Sequence, residues 1–210
     1  MNEDLQSSYD RVAKEYADEF RDELSHKPFD RKMLDWLIEK VGALGIICDM
    51  GCGPGQAAGY LSEQGAPACG IDLSAAMVER AQGLHPGIRF EQGDMLALSG
   101  VADNSFGGIA AFYSLVHVPR PLLLQALQEL KRALLPQGTL LLTFHLGQQV
   151  VHRDEWWGKE VSLDFIFFES AEMKDYLRTA GFELCEAIER DPYPDVEYQS
   201  RRGYIFARKP

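Results

Sequence analysis

Apolar positions along the chain fall into two kinds of stretch that take turns. Tyr9, Val12, Ala13, Tyr16 and Phe20 stand at helical spacing, as do Met33, Trp36, Leu37 and Val41 before Gly42 and Gly45. Residues three and four apart share one helix face, so both stretches are read as helices. Ile46 to Met50 is different: a short run with neither alternation nor proline, the pattern of a strand buried on both faces of a parallel sheet. Strands are predicted over 46–50, 68–71, 88–91, 105–112, 139–145, 182–188 and 203–208. Helices are predicted over 55–64, from Ser74 as N-cap to Gln82, over 121–134 and over 170–180. Such alternation is the signature of an α/β fold, a parallel sheet with crossover helices. Leu146 to Phe168, with Trp156, Trp157, Phe165, Phe167 and Phe168, is too long and too aromatic for a plain connector, and is expected to form a lid or pocket wall.

The turn after the first strand narrows the chemistry. Gly51, Gly53 and Gly55 follow Ile46 to Met50 at alternate positions, where missing Cβ atoms let the backbone approach a ligand ahead of a helix with free N–H groups. The dinucleotide fingerprint is G-x-G-x-x-G; here the pattern is G-x-G-x-G, and Asp49 precedes it. A carboxylate there would repel pyrophosphate and would suit an ammonium group. Asp72 ends the second apolar run, 21 residues after Gly51, at the offset of a ribose-hydroxyl acceptor. Loop and acid together point to a nucleoside joined to something cationic. Asp49 inside an apolar strand needs a partner, which loop amides or the ligand's ammonium would provide.

Composition adds bounds. At 210 residues and 46% hydrophobic, the chain can bury one good core, most simply as a single domain. It has no run of about 18 apolar residues, and no basic segment precedes an apolar one at its start, so membrane association is not expected and a cytoplasmic location is. Cys48, Cys52, Cys69 and Cys185 form no C-x-x-C pair, and no metal site is expected. A net charge of −11 argues against extended contact with nucleic acid.

With the glycine loop and Asp72 in place, four further segments in order complete a resemblance to the class I S-adenosylmethionine-dependent methyltransferases of small-molecule type. These are Tyr9-Asp10 to Tyr16, Gly93-Asp94-Met95, Phe106 to Val118 around Phe112-Tyr113-Ser114, and Leu134 to Leu142. The match covers roughly residues 5 to 145, and the last two strands more loosely. The resemblance implies a Rossmann-like, doubly wound sheet of about seven strands, mostly parallel, with the last strand antiparallel and helices on both faces. It divides the domain into an N-terminal helical cap (1–42), a cofactor-binding core (43–145), an insertion (146–168) and a C-terminal helix with strands (169–210).

The resemblance also implies the cofactor, S-adenosyl-L-methionine, and its product S-adenosyl-L-homocysteine. Asp49, Gly51, Cys52, Gly53, Gly55, Asp72 and Leu73 would hold it; Met77, Gly93, Asp94 and Met95 would meet the adenine; Phe112 would lie beside it, and Tyr9 and Tyr16 would close over it. The cofactor carries an already activated methyl, so the protein has mainly to align a nucleophile and exclude water; a base is needed only for a protonated acceptor. His117, after the fourth strand, is the candidate base or substrate contact. Tyr113, His145, Trp156 and Tyr193 are the other substrate candidates, and His26, His85 and His152 are read as solvated. Asp191 to Tyr198 adds two aromatics and three acids, so an acidic, aromatic pocket for a small cationic or aromatic acceptor is expected. The reading is direct methyl transfer to an O, N or S atom by a monomer or homodimer. A cofactor-binding protein without turnover, or an NAD(P)-dependent oxidoreductase, are the alternatives.

Overall fold

The computed structural model describes residues 2–210, with side chains from Asp4 onward. Seven strands form one sheet: β1 (Ile47–Met50), β2 (Ala68–Asp72), β3 (Arg89–Gln92), β4 (Phe106–Phe112), β5 (Leu134–His145), β8 (Glu183–Arg190) and β9 (Arg202–Arg208). Their order is β3-β2-β1-β4-β5-β9-β8. The first five pair in parallel, and β9 inserts antiparallel between β5 and β8. The expected topology is therefore present, last strand included. A two-stranded antiparallel hairpin, β6 (Val150–Trp156) and β7 (Lys159–Ile166), stands apart from the sheet.

Six α-helices, α1 (Asn2–Phe20), α2 (Pro28–Val41), α3 (Gln56–Glu63), α4 (Ala75–Leu84), α5 (Arg120–Ala133) and α6 (Ser170–Thr179), and two short 3-10 helices, Glu23–His26 and Leu115–His117, complete the described elements. Successive strand residues face opposite sides, and the core divides accordingly. Ile109, Ala111, Leu140, Leu142 and Ile205 pack with Leu123, Leu127 and Leu130 of α5 and Met173 and Leu177 of α6. Ala110, Leu141, Tyr204 and Phe206 pack on the other face with Met33, Leu34 and Leu37 of α2 and Leu61 of α3. Burying each large aliphatic side chain contributes about 1.5–3 kcal/mol, and Leu140, Leu141 and Leu142 are all fully enclosed. Thus α2, grouped by sequence with the N-terminal cap, is part of the core.

Two departures from the predicted elements have local causes. β5 begins at Leu134, earlier than the predicted Thr139, because Leu134 already pairs with Phe106 before a bulge; Gln137, at φ 67°, then turns the chain. The 146–168 segment is the hairpin β6–β7, reversed at Trp157 and Gly158, both with positive φ. Val161 and Leu163 alternate with exposed neighbours and pack on Val12 of α1.

Candidate active site

Parallel pairing brings the C-terminal ends of β1, β2, β4 and β5 to one edge, where open α/β sheets bind ligands. A cavity of about 330 Å³ lies there, roofed by α1 and the hairpin. Its volume falls within the range of small-molecule sites. Tyr9, Tyr16, Asp49, Gly51, Cys52, Gly53, Asp72, Leu73, Met77, Gly93, Asp94, Met95, Phe112, Tyr113, His117, His145 and Trp156 all line it.

At the glycine loop, Gly51 N–H donates to the Ile71 carbonyl at 2.7 Å, folding the turn back over β2. Gly51 and Gly53 both have left-handed φ, 73° and 52°. A Cβ on Gly51 would stand 2.3 Å from the Ser114 Cβ, whereas one on Gly53 would meet nothing nearer than Gln56 and Tyr16 at 3.8 Å, both of which line the cavity. Gly53 thus leaves room for a ligand at the backbone. Gly55 is outside the lining: its φ of 88° starts α3, and a Cβ would meet the Phe90 ring at 2.9 Å, so its role is packing. His85, expected to be solvated, is half-buried against that same ring.

Two carboxylates flank the loop. Asp49 accepts from Ala58 N–H at 3.0 Å through Oδ2, and burial raises its pKa to about 7. Asp72 accepts from Gly53 N–H at 2.7 Å and Ser74 N–H at 2.8 Å, and burial raises its pKa to about 6. Ser74 caps α4 by accepting from Met77 N–H at 3.1 Å, as its sequence position suggested. Its hydroxyl also donates to Asp10 at 2.5 Å, and Asp10 accepts from Ala76 N–H at 3.1 Å. Asp10 thereby ties α1 to the α4 N-terminus. Asp94 accepts from Leu96 N–H at 2.8 Å, and Ser114 Oγ is buried on the cavity wall without a partner among the described residues. An open glycine, two buried carboxylates and an unmatched hydroxyl fit a polar, partly cationic nucleoside.

The roof is an aromatic cluster. Trp156 and Trp157 stack with centroids 4.5 Å apart, and Tyr16 and Phe20 meet them edge-on. The Tyr9 hydroxyl donates to His117 Nε2 at 2.7 Å, and His117 Nδ1–H donates to the Asp164 carbonyl at 2.8 Å. His117 therefore bridges roof and floor as a neutral ring; burial lowers its pKa to about 4.

At the opposite end, Tyr113 adopts a left-handed φ of 51°, the kind of strain that gathers at functional sites. The expected acidity here is corrected by the structure. Asp191 and Asp195 are exposed, while Glu197 is buried and bound to Arg190, with Arg202 Nε 3.4 Å away. Arg190 also reaches Asp30 at 3.2 Å and the Tyr204 hydroxyl at 2.8 Å, and Tyr204 donates to Asp30. Tyr193 is outside the cavity lining: its hydroxyl accepts from Phe29 N–H at 3.1 Å and its ring lies under Arg190 at 4.4 Å, so it braces the wall. Lys27, Asp30, Arg153 and Arg202 line the cavity without having been singled out in the sequence. Of these, Arg202 carried a signal, as a cation directly before the predicted final strand.

Residues 47–138 match a family described as methyltransferase domain. A ubiquinone biosynthesis O-methyltransferase of Xylella fastidiosa is 29% identical over 211 residues, covering 86% of this chain and 84% of that protein. Two further curated relatives, methyltransferases by name from Bacillus subtilis and Streptomyces halstedii, are matched over only 54% and 42% of their lengths, so the chain spans about half of them. Among solved structures, a Burkholderia thailandensis 1,6-didemethyltoxoflavin-N1-methyltransferase, crystallised with that compound and S-adenosylhomocysteine, superposes with a TM-score of 0.72 at 20% identity, covering 99% of this chain and 86% of its own. An S-adenosylmethionine-dependent methyltransferase of Methanosarcina mazei gives 0.70 at 20% identity, over 79% and 92%. Residues 47–138 are thus a methyltransferase domain by family match, and the fold is that of S-adenosylmethionine-dependent methyltransferases of known structure.

Proposed function

We propose that this protein transfers the methyl group of S-adenosylmethionine directly to an O, N or S atom of a small molecule. The observation that carries the reading is a cavity with an open glycine turn and two buried carboxylates at one end and aromatic side chains at the other. When bound, the cofactor supplies a methyl activated on sulfonium. Asp72 is assigned the ribose hydroxyls and Asp49 the ammonium group. Gly93, Asp94, Met95 and Met77 are assigned the adenine, and α1 with the hairpin excludes water. The relatives named for O- and N-methylation of small molecules support the same class.

A hydroxyl acceptor must lose a proton. The route on this chain runs from the acceptor to the Tyr9 oxygen while the Tyr9 proton passes to His117 Nε2, whose opposite N–H is held by the Asp164 carbonyl. His117 is thus the proposed base, acting through Tyr9. The absence of a nucleic-acid substrate belongs to the same proposal, on the net charge of −11, as does a cytoplasmic location, supported by four free cysteines; no helix of the described residues is long and apolar enough to cross a membrane. The test is incubation with methyl-labelled S-adenosylmethionine and a panel of phenols, heteroaromatic amines and thiols. Label should appear in at least one acceptor. Tight cofactor binding with no transfer across the panel would make the chain a binding protein instead.

A further inference from the structure

Four rings form a box at the end of the cavity away from the glycine loop. His145 stacks on Phe167, with centroids 4.8 Å apart and planes 19° from parallel. Tyr198 meets both edge-on at 5.9 and 6.1 Å, and Tyr113 lies against His145 at 5.4 Å. All four line the cavity, and Tyr198 is 55% exposed at its rim.

The neighbours of His145 dictate where its proton sits. Arg202 Nη1 stands 2.7 Å from His145 Nδ1, and a guanidinium N–H can only donate, so Nδ1 carries the lone pair. In the neutral ring the proton is then on Nε2. Burial, followed by the charge of Arg202, pushes the pKa of this imidazole down to about 3, so the ring stays neutral. Ser200 Oγ also lies 2.7 Å from Nδ1, so the ring's hydrogen bonds among the described residues fall on Nδ1, and Nε2–H is left to a ligand. His145 is therefore a fixed donor and not a base.

Two cations border the box, each beside a carboxylate: Arg202 with Glu197 at 3.4 Å and Lys27 with Glu23 at 2.6 Å. The Arg202 guanidinium lies over the Tyr113 ring at 5.4 Å and the Lys27 ammonium at 5.9 Å. A cationic acceptor would compete with both for that ring. A planar acceptor bearing an electron-rich oxygen meets rings for stacking and an N–H donor.

We propose that this box binds an aromatic acceptor through a phenolate, carboxylate or ring-carbonyl oxygen, received by the Nε2–H of His145. The assignment rests on the methyltransferase reading and names its substrate class. The experiment titrates 4-nitrophenolate, followed by its absorbance, into the protein saturated with S-adenosylhomocysteine, with benzyltrimethylammonium as the cationic counterpart. The phenolate should bind and the ammonium should not. His145→Phe keeps a flat ring and removes the donor; it should weaken phenolate binding about tenfold or more, with S-adenosylhomocysteine affinity unchanged. His145→Gln, which restores an N–H, should recover part of the loss. Tyr198→Ala, at the exposed rim, should weaken the phenolate without touching the cofactor, and serves if His145→Phe does not fold. Undiminished phenolate binding in His145→Phe or in Tyr198→Ala, or tighter binding of the ammonium, would overturn the proposal. Failure of the parent protein to bind S-adenosylhomocysteine would overturn the cofactor reading instead; cofactor binding without phenolate binding would overturn the acceptor assignment alone.

Discussion

Gly51 and Gly53 are two residues apart in one turn, both with left-handed φ, and alanine should damage them in different currencies of behaviour. At Gly51 the new Cβ would lie 2.3 Å from the Ser114 Cβ, an atom that moves only with its backbone. Left-handed alanine costs about 1–2 kcal/mol, and forced repacking adds about 1–3 kcal/mol. Together these amount to about 2–5 kcal/mol, or about 4–20 °C in Tm for a domain of this size. At Gly53 the Cβ enters open space, 3.8 Å from its nearest neighbours. Only the backbone term applies, about 1–2 kcal/mol, or about 2–8 °C. The Gly53 Cβ does occupy the space assigned to the ligand, so S-adenosylmethionine affinity should fall at least tenfold, about 1.4 kcal/mol. Thermal unfolding and calorimetric titration of both variants separate the two effects. Parent-like affinity in Gly53→Ala, or a Gly51→Ala protein as stable as Gly53→Ala, would refute the reasoning.

Other outcomes follow from the same groups. The ligand-free fold retains protons on Asp49 and Asp72, at about 7 and about 6, which the unfolded chain has already released. The stability this provides is full below about 4 and is lost as pH rises through about 7. A cationic ligand on Asp49 requires the carboxylate, so S-adenosylmethionine affinity should rise roughly tenfold per pH unit up to about 7 and then level; titrations across pH that show no slope would contradict the Asp49 assignment. Arg190→Met should destabilise the protein by about 3–5 kcal/mol, because Asp30 and Glu197 are buried and lose their shared cation; denaturant unfolding checks it. Tyr9→Phe should leave cofactor affinity near that of the parent but cut turnover of hydroxyl acceptors by about 10²-fold or more, the scale of one proton-transfer group. Equal turnover would remove Tyr9 and His117 from the proton path.

The glycine-turn half of the cavity was largely legible in the sequence, because it is written in backbone terms. Buried parallel strands leave continuous apolar runs, and an open turn leaves glycines, so Ile46 to Gly53 and Asp72 could be placed without side-chain detail. Gly55 was over-read, since a glycine that clears a ring and one that clears a ligand look alike in sequence. The acceptor half was poorly legible. Its charges come from α2, β9 and the loop before β9, which meet only when β9 inserts between β5 and β8. Hence Asp191 and Asp195 suggested an acidic pocket, whereas Glu197 is neutralised by Arg190 and Arg202 from neighbouring strands. The hairpin was hidden by its aromatics, although Val161 and Leu163 already alternated with polar residues as a half-buried strand does. Asp10 was noticed only within the Tyr9-Asp10 segment; that it fastens the roof could not be read, because its partner Ser74 lies 64 residues away.

The measurement that bears most directly on the account is parallel calorimetric titration of the protein with S-adenosylmethionine, S-adenosylhomocysteine and NAD. Saturable binding of the first two and none of NAD is the predicted result. Binding of NAD without the other two would contradict the assignment of the glycine turn, Asp49 and Asp72, and with it the methyl-transfer reading.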